Sequence, residues 1–115
     1  MPSDLTAAIR AAKSFDWDAA SPRARDAWIA AHIFGLTVVW AEWQPIVVAD
    51  DWSGAVPHYT TYASADYLVL VRVREILAND TGKLTQVFMF FLPDYDYEPG
   101  GWSWSWFQTL REVAE

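Results

Sequence analysis

Eight tryptophans, six phenylalanines and five tyrosines in a chain of 115 residues force most of this sequence into a packed interior. Aromatic side chains bury large areas, and a chain that is 17% aromatic and 20% charged is too apolar to stay solvated along its length. A chain of this size has room for one core, and on folding it hides roughly two-thirds of the surface its unfolded form exposes. The expectation is a single domain over residues 1–115, with a helix and connector in 1–20 and a sandwich core in 21–115.

The same chain holds no cysteine, which removes disulfides, thiolate zinc sites and a thiol nucleophile, and fits a reducing compartment. Residues 1–10 lack the basic stretch and long apolar run of a signal peptide. The longest apolar runs, Tyr67–Val71 and Val87–Pro93, stop well short of a membrane span. A cytoplasmic protein that does not enter the membrane is expected.

Helix punctuation is clearest at Ser21-Pro22, a cap followed by a residue suited to the first helical turn, and at Gly35, suited to a left-handed stop. A helix is predicted over 22–34, with Ala24, Trp28, Ala31 and Phe34 on one face. A shorter one is predicted over 3–13, capped by Ser3. Residues 36–43, rich in β-branched and aromatic side chains, read as a strand that Pro45 ends, with Ile46-Val47-Val48 as a second. Asp50–Pro57 reads as a loop. Residues 59–77 fit two readings: the Val and Leu run favours a strand turning at 79–82 into a strand over 85–92, while Thr60 or Thr61 as a cap and the spacing Ala63, Tyr67, Leu70, Arg74, Leu77 favour a helix. Residues 86–92 read as a central strand. Trp102, Trp106, Leu110 and Val113 form the stripe of a last helix, and Trp104 falls off that stripe.

Net charge is −7, and its placement is more telling than its size. No Lys or Arg lies between Asp26 and Arg72, a stretch with Glu42, Asp50, Asp51 and Asp66; another base-free stretch runs from Leu84 to Leu110 with Asp94, Asp96 and Glu98. Nucleic-acid binding takes most of its affinity from Lys and Arg on phosphates, so direct nucleic-acid binding is not expected. A basic partner is.

Three stretches together resemble a known family. Ala27–Leu36, Pro57-His58-Tyr59-Thr60-Thr61 and Tyr97-Glu98-Pro99-Gly100-Gly101-Trp102-Ser103 are similar, in order and spacing, to the first helix, the Tyr-Ser-Thr helix start and the closing turn of the phage ABA-sandwich domain. Gly101 stands where that family carries an acidic residue. The resemblance implies an α+β fold of α/β/α sandwich form, with a central sheet of about 3–4 strands covered by helices near 22–34, 61–77 and 101–113. It also implies a phage or prophage origin in a bacterial host, and it implies no catalytic residues.

Two constellations carry the functional reading. Asp94, Tyr95, Asp96, Tyr97 and Glu98 alternate carboxylates with rings in a loop, a pattern suited to a basic partner and a poor match to a calcium loop. Asp50, Asp51 and Trp52, with Glu42 and Trp43 upstream, make a second acidic and aromatic cluster that could mimic phosphates and stacked bases. Trp104, off the stripe of the last helix, fits two readings, an exposed ring beside the acidic loop or one packed against the first helix. The two histidines, His32 and His58, have no partner at metal-ligand spacing, and no nucleophile elbow or phosphate loop is present. The expectation is a non-enzymatic protein without metal or cofactor, binding a host protein through Asp94, Tyr95, Asp96, Tyr97, Glu98, Trp104, Asp50, Asp51 and Trp52, as an inhibitor of a defence system of anti-CRISPR or anti-restriction type. A small-ligand binder, taking a nucleotide or metabolite in an aromatic pocket, is the alternative. The oligomeric state stays open, a dimer included.

Overall fold

The computed structural model describes residues 2–78, 83–92 and 97–113. Among these, five helices and three short strands follow in the order α1 (Pro2–Ser14), α2 (Pro22–His32), β1 (Val38–Ala41), β2 (Gln44–Val48), β3 (Ser53–Ala55), α3 (Ala63–Leu77), α4 (Lys83–Phe90) and α5 (Gly101–Val113). The class is the mixed α+β one expected. The cap expected at Ser3 lies outside the described side chains.

Local chemistry explains α2. The Ser21 hydroxyl accepts the Ala24 N–H at 3.2 Å, Pro22 takes the first turn, and Gly35 adopts φ +69°. The chain then folds back, with the Leu36 N–H donating to the Ala30 carbonyl at 2.9 Å. The helix therefore stops at His32, two residues before the expected end.

The strands form one antiparallel sheet in the order β1-β2-β3. Val38 lies opposite Val47 and Trp40 opposite Pro45; Val47 in turn faces Gly54. Alternation sends Val38, Pro45 and Val47 to the inner face, where Val47 joins Ile29 and Ile33 of the α2 region in the core. Pro45 is tolerated in a central strand because its missing N–H falls opposite Val56, just past β3, whose own N–H still donates to the Pro45 carbonyl at 3.1 Å. Val39 and Val48, on the other face, are exposed.

At the centre of the helices is α5. Ser103 and Ser105 to Leu110 are all buried, and α1, α3 and α4 pack against it. A helix buried nearly all round needs apolar neighbours on every side. Phe107 is stacked on Trp17 with centroids 4.7 Å apart, and Trp28 meets it edge-on at 5.2 Å. Trp106 meets Phe88 of α4 edge-on at 5.6 Å.

Three expectations (the strand over 85–92, the Thr60 or Thr61 cap and the loop over 50–57) are corrected, and one open reading is decided. The strand over 85–92 is instead α4: Leu84 and Phe88, one turn apart, are the buried pair, so packing against α5 overrides the β propensity of Val and Phe. The ambiguous middle segment is helical, burying Asp66, Val69 and Val73 along one stripe. Neither Thr60 nor Thr61 caps it; Tyr62 holds that place without a side-chain bond, because the Thr60 hydroxyl is committed to Asp26 at 2.7 Å. Finally, the loop expected over 50–57 contains β3. Gly54 permits this, since a Cβ there would stand 3.3 Å from the Trp52 ring that lies across it.

Candidate interaction surface

Exposed rings mark the surface. Trp17, Trp28 and Trp106 are buried, whereas Trp40, Trp43, Trp52 and Trp104 are 50, 79, 55 and 40% exposed. Three of the four are placed by backbone geometry. Trp43 forms, with Glu42, the two-residue turn between β1 and β2. Glu42 has φ +61° there, a left-handed conformation uncommon outside glycine. Trp52 closes the β2–β3 hairpin, its carbonyl accepting the Ala49 N–H at 2.9 Å. Trp104 is the one residue from Ser103 to Leu110 that turns outward from α5, its ring edge-on to Phe91 at 5.9 Å.

Asp50 and Asp51 are exposed beside Trp52. Glu42 and Trp43 are not with them. They sit at the other end of β2, and a five-residue strand separates its ends by roughly 17 Å. The pairing of these two clusters expected from sequence proximity therefore does not form. Asp94, Tyr95 and Asp96 lie outside the described residues. Glu98 is exposed, but Tyr97 is only partly available: its ring is 38% exposed while its hydroxyl donates to Asp66 at 2.5 Å. Burial, then this hydrogen bond and the Asp66 charge, hold the Tyr97 phenol well above its ordinary pKa.

Sequence reasoning missed two parts of this surface. The outer face of the sheet, with Val39, Ile46 and Val48, is partly apolar and open, as are Met89 and Phe90 at the end of α4, 61 and 86% exposed. Strict two-residue alternation would have marked Val39 as opposite in facing to Val38, but the run Val38-Val39-Trp40 is apolar on both sides and hides its phase.

The titratable interior is fully occupied. Asp26 and Asp66, both completely buried, are hydrogen bonded, and no described buried polar side-chain atom lacks a partner. His32 packs on Trp28 at 5.0 Å, and loss of solvent there lowers its pKa. His58 lies beside the Tyr62 ring at 5.0 Å. Among the described residues no three His, Asp or Glu side chains group to hold a metal ion, and no helix is long and apolar enough to cross a membrane. Comparison with family models, curated proteins and solved structures returned no match to this chain.

Proposed function

We propose that this protein works by binding another protein through its exposed acidic and aromatic surface, without catalysis. The observation that carries this reading is the exposure of four of its eight indoles, Trp43 the most, in a chain with ample core to bury rings. Trp is enriched at interface centres and costly to leave in water. The acids beside these rings, Glu42 at one hairpin, Asp50 and Asp51 at the next, and Glu98 before α5, match a basic counterpart. The likeness of three stretches to phage ABA-sandwich proteins supports the finer proposal: the partner is a host protein, and the outcome is inhibition of a bacterial defence enzyme of the CRISPR or restriction class.

Affinity capture from bacterial lysate tests this. The tagged protein is expected to retain one stoichiometric partner, with association slowing as salt rises and the Debye length shrinks below about 8 Å. Replacing Trp43, Trp52 and Trp104 together by Ala is expected to release it. No partner, or one held equally by the triple variant, would overturn the reading.

A further inference from the structure

The free side of β1 differs from a protected sheet edge. The Val48 N–H donates to the Thr37 carbonyl at 2.9 Å, and in the observed register this fixes the ladder's phase: Thr37, Val39 and Ala41 face β2. Val38 and Trp40 therefore turn their N–H and C=O groups outward, where no described residue bonds them. Natural edges are blunted by shortness, a charged side chain, a proline or a bulge. Of these only shortness applies to the four residues Val38–Ala41, and Val39, Trp40 and Trp43 stand exposed around it.

Charge decides what such an edge can accept. The sheet and both hairpins fall within the stretch from Asp26 to Arg72 that holds no Lys or Arg. Its exposed charges are Glu42, Asp50 and Asp51, while Asp26 and Asp66 are sealed inside. A second copy would set the same acids against each other in a chain of net charge −7. An extended segment with Lys or Arg alternating with apolar residues would meet backbone groups at the edge, indoles beside it and the exposed Glu42 carboxylate directly after β1, with no Lys or Arg of the sheet or its hairpins to repel it.

We infer that β1 is a docking edge that takes a lysine- or arginine-bearing extended segment of a partner protein as a fourth strand, an inference that rests on the protein-binding reading above. Main-chain hydrogen bonds supply affinity in this mode, and side chains supply selectivity.

The test uses the whole protein and blocked hexapeptides in which lysine alternates with valine or threonine, with glutamate-for-lysine counterparts. The lysine peptides are expected to slow amide exchange at Val38 and Trp40 by about tenfold and to bind about tenfold tighter than the glutamate ones. Trp40→Pro is compared with Trp40→Ala. Both lose the indole, but only proline removes the outward N–H, and it costs no ladder bond within the sheet. The proline variant is expected to bind about tenfold more weakly than the alanine variant. Equal binding by the two variants, or no protection at Val38 and Trp40 in the unaltered protein, overturns the docking edge. Concentration-dependent dimerisation abolished by Trp40→Pro would assign the edge to a second copy and overturn the partner assignment. A lysate partner kept by Trp40→Pro but lost from the triple Trp variant would leave protein binding standing while removing the edge.

Discussion

Two buried aspartates hold this fold together in different ways. Asp26 of α2 faces a cation: Arg23 donates to it at 2.7 Å, with the Thr60 N–H at 2.9 Å and the Thr60 hydroxyl at 2.7 Å completing the shell. Arg23 itself continues to the Val56 carbonyl at 2.7 Å, so the cluster straps α2 to the segment after β3. Asp66 of α3 has no described Lys or Arg within ion-pair distance. It collects four neutral donors instead: the Tyr97 hydroxyl at 2.5 Å, the Trp102 and Ser103 N–H groups at 3.0 and 2.9 Å, and the Ser103 hydroxyl at 2.6 Å. Two of these are orphan amides of the first turn of α5, where the helix dipole is positive. A buried charge can thus be compensated by a counterion or by a helix start, and the second arrangement concentrates its consequences in the central helix.

The comparison is sharpest when each carboxylate is made an amide. Asn has one acceptor oxygen, so Asp66→Asn sets its NH2 against a backbone N–H of Trp102 or Ser103, which cannot accept, and makes the hydroxyl beside that amide turn from donor to acceptor. A loss of about 3–4 kcal/mol is expected, within the range for breaking a buried charged network. Asp26→Asn leaves Arg23, 21% exposed, able to reach solvent, and about 2 kcal/mol is expected. Urea unfolding with an unchanged m-value measures both. Equal losses, or the reverse order, would break the distinction between counterion and helix-start compensation.

Removing one hydroxyl from each shell gives a smaller effect. Tyr97→Phe leaves Asp66 three donors, and Thr60→Val leaves Asp26 its arginine and one amide; each is expected to cost about 1 kcal/mol. If Tyr97 fastens the turn before α5, its variant alone should raise amide exchange at Trp102 and Ser103, whereas Thr60→Val should leave those amides unchanged.

Neither aspartate was legible in the sequence, for a physical reason. Asp26 lies three residues after Arg23, the spacing of an ordinary surface pair, and Asp66 sits at a helix start where acids are common. Only the tertiary approach of residues 60 and 97–103 makes them interior. Features governed by local chemistry were readable: the Ser21-Pro22 start and Gly35 stop of α2, the presence of two strands within 36–48, and Trp104 as the ring off the α5 stripe; Pro45, expected to end the first strand, instead lies inside the second, and the first ends at the Glu42-Trp43 turn. Features governed by packing were not. The fate of α4 depends on Leu84 and Phe88 meeting α5, and β3, only Ser53-Gly54-Ala55, carries too little β propensity to announce itself. Sequence neighbours misled as well, since Glu42-Trp43 and Asp50-Asp51-Trp52 belong to turns at opposite ends of one strand.

Each aspartate also has a tyrosine, and alkaline pH separates the two pairs most finely. Tyr59 is 3% exposed; burial first, and the charge of Asp26 second, push its phenol up to about 12. In the unfolded chain a phenol ionises near pH 10, so folding favours the protonated form. That contribution is fully present below pH 10 and is lost as pH rises from 10 to about 12, at about 1.4 kcal/mol per pH unit for one phenol. Tyr59→Phe is therefore expected to flatten the fall in urea midpoint between pH 10 and 11.5. Asp26→Asn should flatten it only slightly, because burial, the larger cause, remains. Burial comes first at Tyr97 as well, but there a direct hydrogen bond to Asp66 is added to its charge. Asp66→Asn should bring the Tyr97 absorbance titration down by more than Asp26→Asn moves that of Tyr59. An equal displacement of both tyrosines would mean that charge at a distance, and not the hydrogen bond, governs the pair at the start of α5.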